Sequence, residues 1–259
     1  MQALRDWPLD ARRAVRGVFT DIDDTLTSDG AITPDALNAL HVLRQAGLHV
    51  IPITGRPVGW CAPLIGSWPV DAIVAENGAV ALLPDGGKKI YQQDESTRRI
   101  NFARMRQVAD RILREVPGAT LARDSALRET DIAVDHAEHE HLDAEAVAQV
   151  VAIAHEEGMN ASVSSIHVNA WFGAHDKLAG ARWIVHTLWG RTLDAEQLQW
   201  AYVGDSANDQ VMFAAFDNAI AVANIRTVAA SLHHPPRYVT EADRGAGFAE
   251  FVRALLARS

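Results

Sequence analysis

A single cysteine, Cys61, stands in 259 residues, so no disulfide can form within the chain. Its place in the apolar stretch after Thr54 marks it as a buried, inert thiol rather than a nucleophile. No apolar run approaches the roughly 18 residues that a membrane-spanning helix needs. Met1 to Arg16 carries Arg5, Asp6, Asp10, Arg12 and Arg13 where a secretory signal would have an apolar segment, so a soluble cytoplasmic protein, monomeric or weakly dimeric, is expected with no membrane partner. A basic block is missing too. The 24 Lys and Arg against 33 Asp and Glu leave a net charge of −9 spread along the chain, which argues against nucleic acid as a partner. Internal repeats and low-complexity segments are also absent.

Apolar residue types make up 48% of the chain, enough for a substantial core, and the length suits one core domain plus an insert. Strand and helix patterns alternate through the first third: strand 17–20, helix 34–45 with Thr33 as N-cap and Pro34 in its first turn, strand 48–53, helix 58–65 and strand 72–75. Such alternation predicts a mostly parallel sheet. Pro84-Asp85-Gly86-Gly87 then signals a hairpin turn. From about Lys88 to Phe172 the rhythm changes to strand 88–93, a long amphipathic helix 96–115, strand 130–134, helix 143–157 and strands 159–164 and 167–172. Alternation resumes with helix 177–189, strand 199–203, helix 208–215, strand 219–223 and a final helix 248–257. The expected fold is α/β, a doubly wound, mostly parallel Rossmann-like core over 1–86 and 174–259, with an α+β cap inserted over 87–173.

Chemistry concentrates where the first strand runs into acids, Val18-Phe19-Thr20-Asp21-Ile22-Asp23-Asp24-Thr25-Leu26-Thr27. Open α/β sheets bind ligands at the carboxyl ends of their strands, so Asp21 and Asp23 emerge where a site is expected. Two unit charges about 4 Å apart repel by roughly 1 to 4 kcal/mol, so such a cluster calls for a hard cation, unless the acids are simply solvated in a loop. Three further polar groups end or open elements: Thr54-Gly55-Arg56, Asp176-Lys177 and Gly204-Asp205-Ser206-Ala207-Asn208-Asp209. A hydroxyl, a lysine and more carboxylates are what phosphoryl transfer needs around a nucleophilic acid.

These four groups, in this order, resemble the motifs of the haloacid dehalogenase superfamily, over nearly the whole chain. Glu76-Asn77-Gly78-Ala79 resembles a turn of the branch with a large cap, the Cof type, and the wording is closest to sucrose-phosphatase and mannosyl-phosphoglycerate-phosphatase. The resemblance implies a magnesium-dependent phosphatase acting on a phosphorylated small molecule, most simply a sugar phosphate. It implies Asp21 as nucleophile, forming an aspartyl-phosphate, and Asp23 as general acid and base, which needs a pKa above the ordinary value of about 3.9. Thr54, Gly55, Arg56, Lys177 and Asn208 would hold the substrate's phosphoryl group, with Arg56 otherwise in an exposed salt bridge. Asp21, Asp23 through its backbone carbonyl, Asp205 and Asp209 would hold Mg2+, Asp209 either directly or through a neighbour. Asp24 stands where many relatives have glycine.

Two alternatives share these residues: a phosphomutase acting on a sugar phosphate, and a non-catalytic sugar-phosphate sensor. A dehalogenase leaves Asp23 without a task. Asp135-His136-Ala137-Glu138-His139-Glu140-His141 reads as a solvated cap loop rather than a metal cluster, and His233-His234-Pro235-Pro236 as a loop before the last core strand. Most of the seven tryptophans read as packing residues, with Trp60 placed to stack on a sugar.

Overall fold

The structure, a computed structural model, describes residues 1–257. The chain opens with β1 (Gln2–Ala3) and α1 (Leu9–Ala14) and enters the fully buried β2 (Gly17–Thr20). A small hairpin, β3 (Thr27–Ser28) and β4 (Ala31–Ile32), leads to α2 (Pro34–Gln45), β5 (His49–Pro52) and α3 (Val58–Ile65). Thr33 caps α2, its hydroxyl accepting the Ala36 N–H at 3.3 Å with Pro34 opening the first turn. Next come β6 (Ile73–Ala75), β7 (Val80–Leu82) and β8 (Lys89–Tyr91), which form an antiparallel sheet of three strands.

The second unit follows: α4 (Glu95–Glu115), β9 (Thr120–Leu121), β10 (Ile132–Asp135), α5 (Ala144–Glu156), β11 (Asn160–Val163) and β12 (His167–Trp171). Its four strands pair antiparallel in the order β11-β12-β10-β9. The chain then runs through α6 (Lys177–Trp189), β13 (Trp200–Gly204), α7 (Gln210–Ala215), β14 (Asn218–Ala221), β15 (Tyr238–Val239) and α8 (Arg244–Leu256). Strand Lys89–Tyr91 is a departure from the sequence pattern: it pairs with β7, Lys89 opposite Leu82, and not with the four-stranded sheet. The last helix also starts earlier than its apolar pattern suggests, at Arg244.

The main sheet is wholly parallel, in the order β1-β15-β14-β13-β2-β5. Successive residues of a strand face opposite sides, and the core splits accordingly. Val18, Val50, Ala201 and Val203 pack against α2, α3 and α8, while Phe19, Ile51, Trp200 and Tyr202 pack against α6 and α7. Each fully buried Val, Leu or Phe contributes about 1.5–3 kcal/mol, so two filled faces hold the central strands rigidly. The second unit has its own core, built by Met105, Val108 and Ile112 of α4, Val150 and Ile153 of α5 and Val134 and Val168 of its sheet.

Register decides where the site falls. Thr20 stands opposite both Pro52 and Val203, so the carboxyl ends of β2, β5 and β13 finish side by side. The strand order also reverses at β2, with β5 on one side and β13 on the other, and such a switch point opens a crevice at that edge. Among the described residues no helix is long and apolar enough to cross a membrane.

Candidate active site

Asp21 leaves β2 with its N–H donated to the Val203 carbonyl at 2.8 Å, which fixes its backbone against β13. Its Oδ1 accepts the Lys177 ammonium at 2.8 Å. Lys177 opens α6, whose N-cap Asp176 accepts the Ala179 N–H at 2.7 Å, and the same ammonium reaches Asp209 Oδ1 at 2.6 Å and Asn208 Oδ1 at 3.4 Å. One buried cation thus joins the ends of β2 and β13. Burial raises the Asp21 carboxyl to about 7, the charges of Asp209 and Asp23 pushing the same way against Lys177. Lys177, whose burial works against it, is raised by the charges of Asp209 and Asp21.

Asp209 is fully occupied. Its Oδ2 accepts the N–H groups of Asp205 and Ser206 at 2.9 and 3.0 Å, while its Oδ1 takes Lys177 and the Tyr202 hydroxyl. Asp205 is different: Oδ1 accepts Thr25 Oγ1 and Oδ2 accepts Asn224 Nδ2, both at 3.1 Å, and neither partner is charged. Burial, then the charges of Asp21, Asp209 and Asp24, push its carboxyl well above the ordinary range. Asp21, Asp205 and Asp209 place carboxylate oxygens within 4.8 Å of one another. Three carboxylates against one ammonium form an all-oxygen set in need of positive charge, which fits Mg2+.

Asp23 turns away from that group. Both its oxygens accept Arg56 Nε at 3.0 Å. Burial raises its carboxyl, and the Arg56 charge pulls it back. Arg56 is itself only 5% exposed and reaches the second unit, Nη2 to Glu138 at 2.7 Å and Nη1 to Asp124 at 3.4 Å. An exposed salt bridge is therefore replaced by a buried network. The Arg56 guanidinium also lies 4.9 Å from the ring centroid of Trp60, which is half-buried.

Thr54 is buried and its hydroxyl accepts the Arg56 N–H at 3.0 Å, leaving its own proton to donate. Gly55 lies between the two units, where an added Cβ would stand 3.1 Å from Asn169 Oδ1 and 3.4 Å from Asn77 Nδ2. Its carbonyl accepts Arg128 Nη1 at 3.0 Å and Asn169 Nδ2 at 3.3 Å, and Arg128 is held in turn by Asp131 at 2.9 Å. A narrow cleft bounded by Asp21, Asp23, Gly55 and Asn208 on one side and Ser164, Ser165 and His167 on the other remains between them. Asp24, at φ 53°, adopts the left-handed backbone that a glycine accepts more readily, and its carboxylate pairs with Arg244 at 3.0 Å.

Sequence reasoning missed Asp124, Arg128, Glu138, His167 and Asn169. The acidic and histidine-rich stretch held the only signal. Its His139, Glu140 and His141 are exposed as expected of a solvated loop, but Asp135 is buried and Glu138 accepts His167 Nε2 at 2.9 Å beside Arg56. The carboxylate oxygens of Asp135 and Glu138 and a ring nitrogen of His167 lie within 4.8 Å of one another, yet Asp135 is taken by the backbone of Glu138 and His139 and Glu138 is already ion-paired.

Residues 18–112, from β2 through most of α4, match the sequence model of the haloacid dehalogenase-like hydrolase family. That match likens the first part of the chain, through most of α4, to this family. A Thermoplasma acidophilum protein of known structure is similar over 93% of this chain and 98% of its own, at 18% identity and a TM-score of 0.72. Sucrose-phosphatase from Synechocystis, solved with sucrose and phosphate, is similar over 94% of this chain and 98% of its own, at 15% identity and a TM-score of 0.67. A Bacteroides thetaiotaomicron phosphatase of the same superfamily gives 17% identity, 92% of each chain and a TM-score of 0.61. At these identities the likeness is one of fold. No curated protein matches the chain by sequence.

Proposed function

We propose that the protein is a Mg2+-dependent phosphatase that hydrolyses phosphate monoesters, sugar phosphates among them, through an aspartyl-phosphate on Asp21. The observation that carries this reading is the Lys177 ammonium shared by Asp21 Oδ1 and Asp209 Oδ1, which fixes a buried nucleophilic carboxylate at the crevice of the sheet. The unit around β9 to β12 serves as the cap over the core, in keeping with its contacts on Gly55 and Arg56. Sugar phosphate as substrate draws support from the fold shared with sucrose-phosphatase.

An Asp21 oxygen attacks phosphorus, the ester oxygen leaves with a proton from Asp23, and Asp23 then takes a proton from the water that attacks the acyl-phosphate. Lys177, the Thr54 hydroxyl and Asn208 orient the phosphoryl oxygens. Asp21 and Asp205 would hold Mg2+, with Asp209 fixing Lys177 and the backbone of Asp205 and Ser206. When bound, the ion offsets charge on the phosphoryl oxygens. Asp23 must leave Arg56 before it can donate a proton, and Glu138 and Asp124 keep the guanidinium paired when it does.

Release of phosphate from p-nitrophenyl phosphate and a panel of sugar monophosphates tests the reading. Turnover should require Mg2+ and vanish with excess chelator. Full turnover in chelator removes the metal from the account, and no turnover of any ester removes the activity.

A further inference from the structure

The loops that leave β2 and β13 are joined a second time, apart from Lys177, by a neutral side chain. Asn224 lies in the helical turn Ala223–Thr227 that follows β14. Its Nδ2 donates to the Asp24 carbonyl and to Asp205 Oδ2, both at 3.1 Å, so one amide group gives a proton to each loop. Its Oδ1 accepts the Arg244 N–H at 3.0 Å, where α8 begins. The partners settle the orientation of the amide, since two oxygens face one end and an N–H faces the other. The turn is held from behind as well: the Ala223 N–H donates to the Ala242 carbonyl at 3.1 Å, and Arg226 Nη2 to the Thr240 carbonyl at 3.1 Å. Asp24 and Arg244, the two backbones that the amide joins, stand at φ 53° and 50°. Such conformations cost roughly 1–3 kcal/mol each outside glycine and persist where neighbours hold them, as Asn224 does here.

Accepting the Arg244 N–H needs only an oxygen, so the nitrogen end of the side chain calls for a separate account. Asp205 supplies it. Each of its oxygens accepts one neutral donor, Thr25 Oγ1 on Oδ1 and Asn224 Nδ2 on Oδ2. A carboxylate oxygen has two lone pairs, so each donor turns the group while leaving a lone pair on each oxygen for a cation. A charged donor would instead compensate the anion and compete with that cation. Asn224 does not itself ligate, because its nitrogen is a donor and its oxygen is taken by Arg244. Groups that orient a metal ligand from behind commonly set metal affinity by about 10–100-fold. We infer that Asn224 is a positioning residue for the Mg2+ site, its amide aiming Asp205 and fixing the spacing between the loops that carry Asp21 and Asp205. The inference rests on the metal-dependent phosphatase reading and deepens it.

The experiment measures Mn2+ binding without substrate, by electron paramagnetic resonance of the free ion, in wild type, Asn224→Ser and Asn224→Ala. Turnover of p-nitrophenyl phosphate is followed beside it over a Mg2+ series. Asn224→Ala should bind Mn2+ about 10–100-fold more weakly and need more Mg2+ for half-maximal turnover by the same factor, with turnover recovering as Mg2+ is raised. Asn224→Ser, which keeps one donor of the two, should fall between. A role confined to holding the start of α8 would lower the melting temperature and leave both metal constants where they were. That result overturns the inference and leaves the phosphatase reading intact. Should Asn224→Ala misfold, Asn224→Ser carries the test: a several-fold loss of Mn2+ affinity in the folded variant supports the inference, and an unchanged affinity overturns it. A wild type that binds no Mn2+ and turns over without Mg2+ removes the metal from the phosphatase reading, and this inference with it.

Discussion

Burial holds the His175 imidazole neutral, lowering its pKa from 6.5 to about 4 against the opposing charge of Asp176. The unfolded chain takes up a proton at this residue near its ordinary pKa, whereas the folded chain resists until about pH 4. His175 therefore contributes stability that is present above about pH 6.5 and is lost as pH falls toward 4, an upper bound of about 3 kcal/mol. His175→Gln should accordingly lose less stability than wild type between pH 7 and pH 4.5, read from urea midpoints. Parallel losses in the two proteins contradict the assignment. Single residues differed in how far the sequence exposed them. Asp21, Lys177, Asp205 and Asp209 lie at the ends of elements whose alternation is visible, so their meeting could be anticipated. Arg56 could not be placed that way, because its partners Asp124 and Glu138 stand 68 and 82 residues away on loops with no periodic signal. The contact of Arg56 with the Trp60 ring was hidden for the same reason, since the burial of Arg56 depends on those distant acids.

Among elements, the turn Glu76-Asn77-Gly78 does more than join two strands. All three residues have positive φ, and Gly78, at 107°, lies against the first turn of α6. A Cβ there would stand 2.2 Å from the Asp176 carbonyl oxygen, and one on Gly180 would stand 2.6 Å from Gly78 Cα. Two glycines thus let the turn and the helix that carries Lys177 touch backbone to backbone. Glu76, fully buried, accepts the N–H groups of Val58, Glu129 and Thr130, so the same turn fastens α3 to the start of the strand β10 region. Gly78→Ala should cost about 2–4 kcal/mol, since strain and a backbone clash coincide, and should cut turnover by displacing Lys177. Gly66→Ala, with nothing within 4 Å of the added Cβ and no positive φ, should leave the melting temperature nearly unchanged. Equal melting temperatures for the two variants contradict the packing argument. Resemblance alone marked this turn in the sequence, because close approach between segments about a hundred residues apart leaves no local pattern.

Over the whole molecule, the central strands β2, β5 and β13 were legible because each is a short apolar run with a helix following it in the chain, whereas the two-residue edge strand β1 carries no such pattern. The inserted unit was legible as a break in that rhythm. Its contacts with the core were not, since β8 carries the same alternating pattern whichever sheet it joins, and only pairing with β7 decides. Arg56, Gly55 and Glu76 are the points where the inserted unit grips the core, each through groups from residues 124–138 or from Asn169. Phosphate placed between Gly55 and Asn208 would lie beneath that grip, so the central claim concerns what Asp21 does there. Mass spectrometry of protein quenched in acid during steady turnover with Mg2+ tests it most directly. A phosphoryl group on the peptide carrying Asp21, absent from Asp21→Asn along with turnover, is the predicted result. Turnover by Asp21→Asn at the wild-type rate, or a phosphoryl group on another residue, would contradict it.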